Sequence, residues 1–424
     1  MNSSHCTGTP ISKSWRTHDR FPPVATDAGV GLSTESEAVA AARAAARQAL
    51  EKSGAGRADW GLVFITTAHR PHFAEMLAAI QKTLGTDLIA GCSAAGVLTG
   101  SEEIEARPGV VVLSVRSDSL RGNTLYASIG DGEPRAAAGD IARQLAGHPA
   151  GLLVLLPDPL AVPPDHLLHE LGRAAPGFEA IGAAASGDSA LRGTFQFYGR
   201  NVASRAVAGL HLSGDLRRTI GVTQGCQPLG AQARITGGDG NVILEIDGRP
   251  ALEVLRSRLP PPLADSLERL GGHLFVGLPP DPNLDTIAPG EYLVRHLVGV
   301  DETRGALIVA AAVRANQPLQ FVLRDAQAAR DDLKAMLKRV APASVSGTCR
   351  FGFYFNCAGR GTSLYGMPGI DTAYISAALG DLPIAGFFGN AEIAPLRGQN
   401  RLFTYTGVLA LIGDGEEATA ASGV

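Results

Sequence analysis

The chain has little of what usually announces a function. Aromatic residues make up 5% of its 424 residues, and the formal charge at neutral pH is only −4. Such a balance gives no broad attraction to nucleic acid or anionic lipid, and no lysine–arginine run is long enough to form a patch for either. No apolar stretch reaches the ~18–20 residues that cross a bilayer, and residues 1–20 are polar, with no signal-peptide core. The five cysteines (Cys6, Cys92, Cys226, Cys349, Cys357) are scattered, odd in number and without metal-type spacing, as in a reducing compartment. His166, His169 and Glu170 lack zincin spacing and read as a solvated helix face. Gly237-Gly238-Asp239-Gly240 lacks the following helix of a dinucleotide fingerprint and reads as a hairpin turn. No Walker lysine motif is present. These absences describe a cytoplasmic protein without cofactor, nucleic-acid partner or membrane contact.

What is plentiful is glycine, at 52 residues, within a chain that is 45% hydrophobic. That is ample material for a core, and the length favours two domains. Three stretches end alike, with a short apolar strand running into glycine and small residues: LIAGCSAAG (88–96), AIGAAASG (180–187) and PIAGFFGNAEIAP (383–395). Glycine there allows positive φ and leaves bare N–H groups. Each stretch closes a strand–helix–strand copy whose strands are 62–65 and 88–90, 152–156 and 180–181, and 351–355 and 383–385. Their lengths suit a βαβ crossover. An apolar strand follows each copy, at 110–115, 206–212 and 406–412.

The spacing therefore predicts an α/β fold: two related α/β domains of repeated strand–helix–strand units, with antiparallel meander strands between them. Residues 1–23 read as a mobile tail, 24–240 and 241–413 as the two domains, and 414–424 as a second tail. Thr34 with Glu37 reads as a capping box opening a helix to about residue 52, with Val39, Ala42, Ala46 and Leu50 on its inner face. Asp325 reads as the cap of a later helix.

Several strings resemble the FIST family, with a FIST N-terminal and a FIST C-terminal domain in tandem. GVGLST (29–34), GLVFIT (61–66) and GCSAAGVLTG (91–100) carry the first. NVILEIDGRPALEVL (241–255), VRHLVGVDETRGALIV (294–309), FNCAGRG (355–361) and PIAGFFGNAEIAP carry the second. The resemblance implies a sensory, small-ligand-binding protein for which amino acids have been suggested as ligands. No kinase, receiver, cyclase, F-box or membrane segment is attached, so the output is expected to act through a separate signalling protein.

The candidate site centres on Cys357, Arg360 and Gly361, just past a strand end. A thiol beside glycine and arginine is expected to have a lowered pKa, and Arg360 can grip a carboxylate bidentately. The plainer alternative is a buried structural cysteine and an arginine in an internal ion pair. Glu392 either meets an ammonium group or anchors a loop through backbone hydrogen bonds. Gly91, Cys92 and Ser93 form a nest of N–H groups suited to an anion. Ser93 does not fit a nucleophile elbow, because Ala95 stands where glycine is needed. Gly182, Ser186, Asn356, Gly386 and Gly389 complete the expected lining. The leading expectation is a cavity where these turns converge around a carboxylate-bearing metabolite such as an amino acid. Two other readings stand beside it: an enzyme with Cys357 as nucleophile, and an interaction scaffold.

Overall fold

The computed structural model describes residues 26–130, 133–187, 193–264, 266–345 and 349–414. Both expected tails, apart from residue 414, lie outside the described residues or at their edge.

The strand–helix–strand repeat is confirmed and extended into a ring of three units. The first runs through strand Asp27–Ser33, helix Ala38–Ser53, strand Trp60–Thr66, helix Phe73–Leu84 and strand Ile89–Ala94. A hairpin (Gly96–Thr99, Glu103–Glu105) and a return strand, Val110–Arg116, complete it. The second repeats this order with strands Leu120–Ser128, Leu152–Pro157 and Glu179–Ala183, hairpin Gln196–Tyr198 and Asn201–Ala203, and return strand Ala206–Gly214. The third uses Leu216–Gln224, Cys349–Cys357 and Ile384–Gly389, hairpin Glu392–Leu396 and Gln399–Phe403, and return strand Thr406–Asp414.

In each unit the first strand pairs antiparallel with the return strand, which pairs antiparallel with the second. The second then lies parallel to the third, as a helical crossover requires. No unit keeps its own hairpin. The first unit's joins the third sheet, the second's joins the first, and the third's joins the second, giving three six-stranded sheets. Their inner faces enclose one shared core, where Phe64 lies 4.7 Å from Phe387 and 6.4 Å from Phe355, ring centre to ring centre. Helices cover each outer face, forming separate layers.

The first helix shows how composition sets spacing. Its buried face is entirely alanine (Ala38, Ala41, Ala42, Ala45, Ala46, Ala49), with Val39 and Leu50 at its margin rather than its centre. Opposite lie Gly29 and Gly31, where an added Cβ would stand 2.2 Å from Ala49 O and 1.9 Å from Ala45 O. Small residues on both partners draw helix and strand into contact. The N-cap is Glu37, whose carboxylate accepts from Val39 N and Ala40 N, in place of the Thr34 capping box. Asp325 caps its helix as expected, accepting from Ala328 N at 2.7 Å.

The meander strands close into a barrel inserted after the third unit's first strand. Strands Ala233–Asp239, Val242–Ile246, Ala306–Val309, Leu293–Asp301, Leu274–Leu278 and Pro318–Arg324 pair in that order, and the last returns to the first. Its own core includes Ile235, Leu307 and Phe321, joined by Leu252 and Leu255 of helix Ala251–Arg258. The expected division at 240/241 falls at the turn of a hairpin whose two strands both belong to this barrel. The chain leaves the ring at Gly225 and rejoins it at Asp325, whose N–H donates to Gly225 O at 3.2 Å.

Candidate functional site

The three closing glycines occupy one equivalent position. Gly91, Gly182 and Gly386 pair with Val63, Leu155 and Tyr354 of the parallel neighbour strand. A Cβ at each would lie 1.9, 2.1 and 1.8 Å from that residue's carbonyl oxygen. Only Gly182 has positive φ, at 140°, so strand contact rather than turn geometry is what all three require.

The turns do meet, but they knit together tightly. Ser93 Oγ donates to Ser186 O at 2.9 Å and accepts from Phe195 N at 3.0 Å. Ser186 Oγ donates to Phe388 O and accepts from Ala95 N at 2.8 Å. A Cβ on Gly389 would press against Ala183 Cβ, and Asn390 N donates to Ala184 O at 3.0 Å. Cys92 lies in the shared core, where burial pushes its thiol well up. Both serines thus have their hydroxyls committed to neighbouring backbone.

Arg360 is fully buried; its Nε and Nη2 are held from within the chain, while Nη1 has no hydrogen-bond partner among the described residues. Nε donates to Asp371 Oδ2 at 3.0 Å, and Nη2 to Asp371 Oδ1 at 3.1 Å and Tyr365 Oη at 2.9 Å. Asn356 Nδ2 and Tyr354 Oη also donate to Asp371 Oδ2, at 3.1 and 2.8 Å. Burial raises the Asp371 carboxyl, yet Arg360 and these donors outweigh it and hold the group below the usual range. Burial also raises the Cys357 thiol, helped by the nearby Glu392 carboxyl and only partly offset by Gly359 N–H, so the expected lowered pKa is reversed. Glu392 is itself buried. Burial lifts its carboxyl to about 8, although Oε2 accepts from Thr406 Oγ1 at 2.8 Å and Thr406 N at 3.3 Å.

An open space lies next to this cluster: a cavity of about 850 Å³ between the first and third units, at the carboxyl ends of their parallel strands. Thr66 and Thr67 supply one side, Ala95 and Gly96 the floor beside Phe388, and Ala358, Thr362 and Pro368 the third unit's wall. The remaining wall is the first unit's hairpin, with Glu103, Glu105 and Arg107. Glu103 accepts from Gly369 N at 2.7 Å and Thr372 N at 3.1 Å, capping helix Ile370–Leu379. Burial raises its carboxyl against the pull of those two donors. Glu105 Oε1 accepts from Thr362 N and Oγ1 at 3.0 and 2.9 Å, and fits against Gly361, whose φ is 58°. Arg107 is exposed and has no hydrogen bond or ion pair among the described residues.

Of the sequence candidates, the structure brings Cys357, Asn356, Arg360, Gly361 and Glu392 to the ground behind this cavity, not onto its surface. Sequence reading missed Glu103, Glu105, Arg107 and Asp371. The acidic string after GVLTG was a visible signal, but its partners lie more than 250 positions away.

Comparison with known proteins places this chain. Residues 59–249 match the FIST N domain and residues 251–395 the FIST C domain. An uncharacterized protein of Mycobacterium tuberculosis is 33% identical over 91% of this chain and 99% of its own length. One of Mycobacterium bovis is 31% identical over 92% and 99%. The chain belongs to the FIST family, whose domains are described generally as small-ligand-binding sensory domains of signal transduction. Among solved structures, cyanuric acid hydrolase from A. caulinodans is 9% identical, with a TM-score of 0.38 over 92% of this chain and all of its own. At that level the likeness carries no argument. No helix among the described residues is long and apolar enough to cross a membrane.

Proposed function

We propose that this chain senses a small carboxylate-bearing metabolite in the cavity between the first and third units, and that a separate signalling protein reads the bound state. The observation that carries this reading is Arg107, a guanidinium without a partner among the described residues, on the wall of a cavity of about 850 Å³. That volume lies within the ~300–1,000 Å³ usual for small-ligand sites, and strand carboxyl ends are their usual place in α/β folds. Arg107 replaces Arg360 as the carboxylate reader, since Arg360 is fully buried, lies off the cavity lining and holds Asp371 through Nε and Nη2. An amino acid would meet both signs here, its carboxylate at Arg107 and its ammonium at Glu105.

Past the second strand of the other two units, side chains are engaged by the chain itself. In the second, Asp158 accepts from Arg205 N and Leu160 N, both at 2.9 Å. In the third, the Tyr405 ring occupies the space beside Gly359, 2.8 Å from where a Cβ would stand.

The test is a melting-temperature screen of carboxylates, including amino acids and keto acids. A ligand at 100 times its Kd stabilises the fold by about 2.7 kcal/mol. Arg107→Ala should abolish the shift while leaving the unliganded melting temperature unchanged. A panel that moves nothing, or an equal shift in the variant, defeats the reading.

A further inference from the structure

One stretch of chain, 358–372, faces the cavity on one side and holds the barrel's attachment on the other. Ala358, Thr362 and Pro368 line the cavity. From the cavity's far wall, Glu105 grips this stretch at Thr362, and Glu103 grips it at Gly369 and Thr372. Within the stretch, Arg360 is clamped by Asp371 and Tyr365.

The barrel is reached from the same few residues. Arg360 Nη1 lies against Gly225, where the chain leaves the ring, 3.4 Å from the position a Cβ would take there. Arg324 closes the last barrel strand, and its Nη2 donates to Gly359 O at 2.6 Å and Ser363 Oγ at 2.8 Å. The barrel's return connection is thus bonded to 359–363 through Arg324, its exit at Gly225 lies beside Arg360, and the cavity wall holds the same span through Glu105. Gly361, Gly366 and Gly369 have φ of 58°, 75° and 82°, which divides the stretch into short pieces joined at left-handed glycines.

We propose that residues 358–372 couple the state of the cavity to the seating of the barrel, making the barrel the part of the molecule that reports occupancy. This rests on the cavity being the ligand site, but the physical coupling can be tested without any ligand. Glu105 and Arg324 share this stretch without bonding to each other, and it is distinct from the barrel's other ties to the ring, such as Arg295 to Asp165 and Thr404 to Val294 O.

The experiment is hydrogen exchange with peptide resolution on the full chain, comparing wild type with Glu105→Gln and Arg324→Gln. Thr362→Val serves as a milder wall variant if Glu105→Gln does not fold. The wall variant should exchange roughly tenfold faster in 358–372 and in barrel strands Cys226–Pro228 and Pro318–Arg324. Helix Pro134–Leu145 of the second unit should stay unchanged. Arg324→Gln should loosen the hairpin Glu103–Glu105 in return, because coupling is reciprocal. Acceleration confined to the hairpin and Thr362–Tyr365, with the barrel as in wild type, overturns the proposal. A failed ligand screen with intact exchange coupling would sink the sensing reading alone; a successful screen with a silent barrel would sink this one alone.

Discussion

At the scale of single residues, Glu392 has the most consequential environment. Its carboxyl is lifted from 4.5 to about 8, burial being the largest cause. The folded state therefore favours the protonated form. The stability this contributes is fully present below pH ~4.5 and is lost as pH rises through 8, with a slope of at most about 1.4 kcal/mol per unit. Glu392→Gln should flatten that fall, so urea midpoints of variant and wild type should converge in acid and separate by pH 9, the variant then being the more stable. Parallel midpoint curves would contradict it. Residue roles were the least legible part of the sequence. Glycine beside arginine and cysteine pointed to the right neighbourhood. Whether Arg360 faces a ligand or an internal carboxylate depends on Asp371, eleven positions on and across a turn that spacing does not orient. Arg107 had no local signal, because its importance comes from a wall built by another unit.

At the scale of elements, glycine separates into two classes with opposite predicted effects. Gly91→Ala places a methyl group 1.9 Å from Val63 O, which strand separation alone can relieve. The expected loss is about 3 kcal/mol or more, read by chemical denaturation. Gly172 sits in helix Pro164–Ala174 with nothing within 4 Å of an added Cβ. Gly172→Ala should gain about 0.5–1 kcal/mol through helix propensity and a less entropic unfolded chain. If both substitutions cost alike, close strand approach is not the reason for Gly91. The elements themselves were largely legible, since a strand, an amphipathic helix and a glycine-ended strand recur three times in the periodicity. Their partners were not. Val97 and Leu98 pair with Phe387 and Gly386 of the third unit, a partner that no local spacing names. Only side-chain fit across hundreds of positions selects that register.

At the scale of the whole molecule, the barrel is an insertion with adjoining ends, tied by the hydrogen bond from Asp325 N to Gly225 O. It has its own core, with Leu293 alone of its buried apolar side chains belonging to the core the three sheets share. Replacing residues 226–324 by a short glycine–serine linker should leave a ring that still melts cooperatively, followed by circular dichroism. A chain without a cooperative transition would show that the ring depends on the barrel for its fold. Strong non-local pairing throughout the ring also predicts slow refolding, on the millisecond-to-second scale or longer.

The cyclic loan of hairpins bears on synthesis. Strand Gly96–Thr99 is made early, but the strand that receives it, Ile384–Gly389, leaves the ribosome almost three hundred residues later. Until then a nascent chain carries an unpaired ribbon ending in two glutamates, Glu103 and Glu105, and those charges discourage edge-to-edge clumping during the wait.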